Sequence, residues 1–317
     1  MRLKTLRRSL RGTDFIYSDP FAAHSRAYLR SLHWVRLFYG LSAFLMIRAA
    51  TWAWEALNHS LLRDPVWVVE WLSFVPLSWL VSGMFGAWAL GSVLAFWRPD
   101  VLYFRLLTAV GVFLFAALDS SDGEYVHQWY PFFWAAMILV FLPAREGTKI
   151  SRARQHTQLL LVWACQFVVS VFYFLTALCK IKNLGSCALD SGLNCESPMY
   201  FMANMAAFEW IKYQQFAPFL DLLLVIPALG LLLYALVIYL ELFALHFAFR
   251  LDTHLLTGIL RLAFHAGAFV FVSVDYMPFV LMVVWLFVLS PFHDDEVALW
   301  TRLCRLPGLR WLHCSTQ

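Results

Sequence analysis

The stretch from Leu159 to Lys180 reads LLLVWACQFVVSVFYFLTALCK and carries no charge until its last residue. As a helix it is about 33 Å long at 1.5 Å per residue, enough to cross the roughly 30 Å hydrocarbon core of a bilayer. Membrane-spanning strands are shorter and alternate in polarity, whereas an unbroken apolar run suits a helix, which pairs its own backbone N–H and C=O groups where no water reaches them. Working outward from this stretch gives eight such runs, near Trp34–Trp54, Phe74–Phe96, Val101–Leu118, Tyr130–Leu142, Leu159–Lys180, Phe219–Phe249, Leu255–Val272 and Met277–Pro291. Val66–Trp71 reads as an interfacial helix, and Pro198–Tyr213 as an amphipathic helix lying against the bilayer.

Composition points the same way. The 317 residues are 62% hydrophobic, 18% aromatic and only 14% charged, with a mean hydropathy of +0.67. That leaves too little polar surface for a water-soluble body. The expected fold class is all-α: a polytopic transmembrane helical bundle of about eight spans with no soluble domain. Its expected organisation is a cytoplasmic basic arm over 1–30, the bundle over 31–292 with an outer loop at 181–217, and a cytoplasmic tail over 293–317.

Lysine and arginine set the orientation. Seventeen of the 24 fall in segments on one side of the runs: Arg2, Lys4, Arg7, Arg8, Arg11, Arg26, Arg30, Arg98, Arg105, Arg145, Lys149, Arg152, Arg154, Arg250, Arg302, Arg305 and Arg310. Only Arg63, Lys182 and Lys212 lie in the opposite loops, which carry Asp119, Asp122, Glu124, Asp190, Glu196 and Glu209. The positive-inside rule therefore puts both termini in the cytoplasm, and an even number of spans agrees by putting them on the same side. About thirty mostly polar residues precede the first apolar run, so the N-terminus reads as an arm at the membrane surface and not as a cleaved signal. The net charge of +4 favours contact with the lipid bilayer and its anionic headgroups. Nucleic acid is not an expected partner, because the cations are dispersed among separate segments without a binding motif.

The six cysteines divide by compartment. Cys165 and Cys179 fall in the fifth run as packing residues, and Cys304 and Cys314 in the reduced cytoplasmic tail. Cys187 and Cys195 share the outer loop, where a structural disulfide is the favoured reading, with a redox-active pair or two free thiols as the alternatives. No phosphate loop, dinucleotide fingerprint or metal-ligand spacing is present, and no metal is expected.

Chemistry in such a chain rests on ionisable residues at membrane depth, each costly there unless paired or functional. One group is Glu241 on the sixth run with Arg261 and His265 on the seventh. Arg261 and His265 are four residues apart and share a helix face, extended by Gly258 and Ala268. Counted from the turn near Leu251 to His254, Glu241 and Arg261 lie at similar depth, so an ion pair between them is expected, with His265 in reach. Its two readings are a lock between helices and a catalytic site. The second group is His127, Lys180 and Arg48, near Asp119 and Asp122 at the outer boundary. Tyr173, Ala177 and Lys180 share one helix face. Lys180 either snorkels to the headgroups or turns inward as a base.

Several of these residues stand in motifs. Leu32-His33-Trp34-Val35-Arg36-Leu37-Phe38-Tyr39-Gly40, Tyr125-Val126-His127, Tyr173-Phe174-Leu175-Thr176-Ala177-Leu178-Cys179-Lys180, and Tyr239-Leu240-Glu241-Leu242-Phe243 followed by Phe264-His265-Ala266-Gly267-Ala268 occur in that order. As an ordered set over roughly Ser31 to Pro291, this resembles the HTTM superfamily, the vitamin K-dependent gamma-carboxylases and their bacterial relatives. The resemblance implies a bacterial cytoplasmic membrane, a reduced naphthoquinone as cofactor and a secreted peptide as substrate at the outer face. It gives Lys180 the role of catalytic base towards the quinol and His127 that of stabilising a carbanion. Glu241, Arg261, His265 and Arg36 would support the bundle. The competing expectation is a non-enzymatic partner in maturation or export of a secreted peptide, or a lipid-binding or transport protein, since fold alone does not decide activity.

Overall fold

The computed structural model of the chain describes residues 21–57, 77–120, 129–144, 151–189, 207, 219–272, 277–292 and 306–307. Among the described residues all regular structure is helical. Helices occupy every one of the eight apolar runs: α1 (Phe21–Leu57), α2 (Leu77–Trp97), α3 (Leu102–Asp119), α4 (Tyr130–Val140), α5 (Arg152–Leu189), α6 (Leu220–Val225), α7 (Pro227–Leu242), α8 (Ala244–Ala248), α9 (His254–Val272) and α10 (Met277–Val283). A π-helical turn, Val284–Val288, continues α10. Among the described residues three stretches, Leu102–Asp119, Arg152–Lys182 and Leu251–Phe271, are long and apolar enough to cross a membrane. Ser82–Trp97, Tyr130–Val140, Pro227–Leu242 and Met277–Val288 are shorter apolar helices. The expected helices at Val66–Trp71 and Pro198–Tyr213, and the Cys187–Cys195 pairing, lie outside the described residues and side chains.

Two expectations about the helices are corrected. The sixth run is not one helix: it breaks at Ile226, whose φ of −121° and ψ of 74° are non-helical. The next residue is Pro227, whose ring disfavours helical geometry at the residue before it, and which then sits well at the start of α7 because its missing N–H is not needed there. A second interruption follows at Phe243. The fifth run does not end at Lys180, since α5 continues to Leu189 through the start of the segment read as an outer loop. Lysine, asparagine and leucine all tolerate helix, and no proline interrupts them, so the change to polar residues marks no helix end.

The chain divides into two compact units, with α5 passing from one into the other at Val168 and Val169. In the N-terminal unit, α1 packs on α2, α2 on α3, and α3 on α4. Glycine permits the closest approach: a Cβ on Gly111 would lie 2.5 Å from the Trp88 Cβ and 2.9 Å from its Cα. Around that contact is an aromatic core in which Trp88 meets Phe115 at 5.5 Å and Trp129 at 6.2 Å between ring centroids. The indole N–H of Trp88 donates to Ser42 Oγ at 2.8 Å, and Ser42 pairs with Ser92 at 2.8 Å, so these three side chains satisfy one another. At the end of α4, buried Arg105 donates to the carbonyls of Leu139 (3.3 Å) and Leu142 (2.5 Å), and Arg154 donates to that of Pro143 (3.3 Å). Carbonyls at a helix C-terminus lack internal partners, and arginine supplies them. Cys165 is buried as expected. Cys179, expected to pack, is exposed.

In the C-terminal unit, α7 meets α9, and α9 lies against α10 and the π-helical turn. The link from α8 to α9 is a single 3-10 turn, Leu251–Thr253, closed by Thr253 donating to the Arg250 carbonyl from both its N–H (2.8 Å) and its hydroxyl (2.7 Å). Gly258 brings α9 onto the π-helical turn. A Cβ there would lie 2.9 Å from Val288 Cγ2 and 3.0 Å from Phe287 Cβ.

Candidate functional site

The C-terminal unit gathers side chains from three long helices and the π-helical turn. α5 presents Tyr173, Ala177 and Lys180 at the expected helical spacing, and Tyr173 and Ala177 are both buried. Lys180 does not snorkel to a helix end. It lies nine residues before Leu189, about 14 Å along the helix at 1.5 Å per residue. Its ammonium donates to both carboxylate oxygens of Glu241 on α7, at 2.5 and 2.7 Å. Glu241 is almost wholly enclosed, whereas the Lys180 side chain keeps 21% of its surface exposed.

This pairing corrects the expected one. Glu241 was read as the partner of Arg261, but among the described residues the ion pair at Glu241 is with Lys180. Lys180, grouped by the sequence with residues of the outer boundary, therefore belongs with Glu241. The depth count put Lys180 at the end of a helix that in fact runs on past it, and so separated residues that touch.

Arg261 and His265, four apart on α9, do share a face. Tyr173 Oη and His265 Nε2 are joined by a hydrogen bond of 2.7 Å. Phe279 on α10 meets the Tyr173 ring edge-on at 5.2 Å and lies 5.6 Å from the His265 ring. The Arg261 guanidinium carbon sits over two rings, 4.5 Å from the centroid of Tyr173 and 4.2 Å from that of Phe287. Such cation–π contacts are worth about 2 kcal/mol when desolvated. They are no substitute for acceptors, and among the described residues none of the Arg261 nitrogens has a hydrogen-bond partner.

The remaining candidates lie elsewhere. Arg36 is an exposed residue of α1 in the N-terminal unit, as is Arg48, and Asp119 closes α3 in that unit. His127 and Asp122 lie outside the described residues. Among the described residues, no three His, Cys, Asp or Glu side chains come together as metal ligands. Sequence reasoning did not find Tyr173 as the partner of His265, nor Phe287 as the ring over Arg261. The first was signalled by the shared face of Tyr173 and Lys180, and the second by Gly258 one turn before Arg261.

The cluster thus holds an ammonium–carboxylate pair able to exchange a proton, a hydrogen-bonded tyrosine and histidine, and a guanidinium with its donors unused. Comparison with protein-family models, with curated proteins and with solved structures finds no match to the chain.

Proposed function

We propose that the chain is a multi-pass membrane protein of the HTTM kind and that the Lys180–Glu241 cluster is the working site of a gamma-carboxylase-like enzyme acting on an exported peptide. The observation that carries this reading is Lys180 held inward against a buried carboxylate. Ionisable groups placed at membrane depth are there for function far more often than by neglect. The ordered motifs around Arg36, His127, Lys180, Glu241 and His265 add to it.

The residues fit a reduced naphthoquinone in one respect that this structure offers: an amine beside a carboxylate, close to aromatic side chains. Glu241 takes the proton that Lys180 carries, and the freed amine then accepts one from a ligand hydroxyl. When bound, the quinol would supply with oxygen the strong base that removes a glutamate gamma-proton ahead of attack on carbon dioxide. Tyr173 and His265 orient one another through their shared hydrogen bond, and His127 keeps the carbanion-stabilising role that the motif order gives it. Purified protein supplied with a glutamate-containing peptide, reduced naphthoquinone and labelled carbon dioxide should incorporate label only when the quinone is reduced. Equal incorporation without it, or none with it, would remove the reading.

A second reading draws on the same contact. Lys180 spends two hydrogen bonds on Glu241, as a pair that locks α5 to α7 would, and this suits a non-enzymatic partner in peptide maturation or export, or a lipid-binding or transport protein. That role predicts loss of the mature exported peptide on deletion of the chain, with no label transferred.

For the topology we propose eight spans with both termini cytoplasmic. Exposed Trp79 and Trp97 stand eighteen residues apart on α2, about 27 Å at 1.5 Å per residue, which is the separation of the two aromatic belts of a bilayer. Exposed Tyr103 and Phe141 join Trp97 as belt residues near Arg98, Arg105 and Arg154. In the turn beyond α2, Asp100 holds Arg98 at 3.2 Å and pushes its pKa further up. Reporter fusions at Glu124 and Thr148 should fall on opposite faces, and a cytoplasmic signal from both would misassign the third to fifth spans.

A further inference from the structure

We propose that Arg261 anchors a binding site for the carboxylate of a ligand with an apolar body. The residue is 1% exposed, and its Nε, Nη1 and Nη2 atoms have no hydrogen-bond partner among the described residues. An arginine carries five N–H donors, stays charged in proteins and is costly to bury without acceptors. A buried group left in this state calls for an occupant that completes it.

The nearby polar groups make their hydrogen bonds to other residues and not to Arg261. Both oxygens of Glu241 accept from Lys180, and the Tyr173 hydroxyl is shared with His265. Charge points to the sign of the ligand: the Lys180 and Glu241 charges cancel, and Arg261 leaves one positive charge over, which a monoanion neutralises. Shape narrows the class. The Tyr173 and Phe287 rings take the positions beside the guanidinium carbon, leaving the N–H edge for an acceptor, and a carboxylate accepts there through two parallel hydrogen bonds. The surroundings are aromatic, with Phe264 4.8 Å from the His265 ring and Phe279 behind Tyr173, so the body attached to that carboxylate is apolar.

A second feature singles out the same place. Phe287 belongs to a π-helical turn, a rare geometry that recurs at functional sites. Gly258, one turn before Arg261, allows that turn to approach α9 so closely that a Cβ there would force Val288 and Phe287 to shift. The ring over the guanidinium is thus set by backbone packing, independently of the ion pair at Lys180.

The carboxylate could come from a fatty-acid-like amphiphile or from a glutamate side chain of a peptide. The site requires no reaction at Lys180, so it goes beyond the enzymatic reading and stands apart from it.

The test is thermal unfolding of the full chain in a non-ionic detergent with laurate, with methyl laurate as the uncharged control, and with N-acetylglutamate amide. A ligand that binds the folded state raises the midpoint in a saturable way. The expected result is a rise with at least one carboxylate and none with the ester, and which carboxylate acts identifies the source. Arg261→Met should abolish the rise. Arg261→Lys, which keeps the charge but loses the two-pronged donor, should weaken the apparent affinity about tenfold or more, and it carries the test if the methionine variant does not fold. The proposal is overturned if neither carboxylate moves the midpoint, if the ester moves it equally, or if the rise survives unchanged in the variants. Label incorporation plays no part here, so the enzymatic reading and this one fail separately.

Discussion

Two buried arginines, one in each unit, are treated differently by the fold. Arg105 in the N-terminal unit is 2% exposed, and Arg261 in the C-terminal unit is 1% exposed. Arg105 donates from Nη1 to two carbonyls at the end of α4 and ties α3 to that helix, although its Nε has no partner among the described residues. Arg261 reaches only rings. In the N-terminal unit the Trp88 indole bonds to Ser42 within the aromatic core, although the buried Tyr39 hydroxyl has no partner among the described residues. Around Arg261 the C-terminal unit assembles an ion pair, a tyrosine–histidine hydrogen bond and an unsatisfied cation. The lesson is that burial of charge does not by itself mark a site; what distinguishes one is charge whose hydrogen bonds the fold leaves unmade.

The largest expected effect is at Glu241. Glu241→Ala leaves the Lys180 ammonium without its partner and should lower stability by about 3 kcal/mol or more, read from thermal unfolding in detergent. Replacing both residues by methionine should restore stability to within about 1 kcal/mol of wild type, because an apolar pair avoids the desolvation cost of both charges. A single alanine variant as stable as wild type would mean that Lys180 is satisfied by water, and the contrast between the units would weaken.

The arginines themselves give the next largest effect. Arg105→Met takes a donor from the Leu142 carbonyl and leaves that of Leu139 with its backbone donor alone, and it should cost about 1 to 3 kcal/mol. Arg261→Met loses two cation–π contacts but no hydrogen bonds, and it is relieved of the cost of a buried unmet charge, so it should cost less than Arg105→Met when no carboxylate ligand is present. Equal losses in the two variants would erase the distinction drawn here. Smaller again is Tyr173→Phe, which keeps the ring beside Arg261 but releases His265, for about 1 kcal/mol. An unchanged unfolding midpoint would place that hydrogen bond outside the account.

Much of this architecture was legible in the sequence. Apolar runs of span length forecast a helix at each of the eight places, because in hydrocarbon no other local structure satisfies the backbone. The face shared by Tyr173, Ala177 and Lys180, and the one shared by Arg261 and His265, followed from helical spacing alone. What was not legible depended on where helices stop. Nothing around Lys180 breaks a helix, yet its charge read as a boundary, which moved it away from Glu241 and left Arg261 as the apparent partner. Pro227 was a boundary, and the hydrophobicity on either side concealed it. Pairings across helices depend on register and rotation, which a count from the nearest turn fixes only when the turn is the true end of the helix.

The most direct test of the central claim, that Lys180 works as a base and not as a lock, is label incorporation by the Lys180→Arg variant. Arginine keeps the positive charge and can bridge both oxygens of Glu241, but it does not give up its proton. The account predicts a folded protein, with an unfolding midpoint close to wild type, that transfers no labelled carbon dioxide to the peptide. Incorporation at the wild-type rate by a folded Lys180→Arg protein would contradict it and leave the pair as an anchor between α5 and α7.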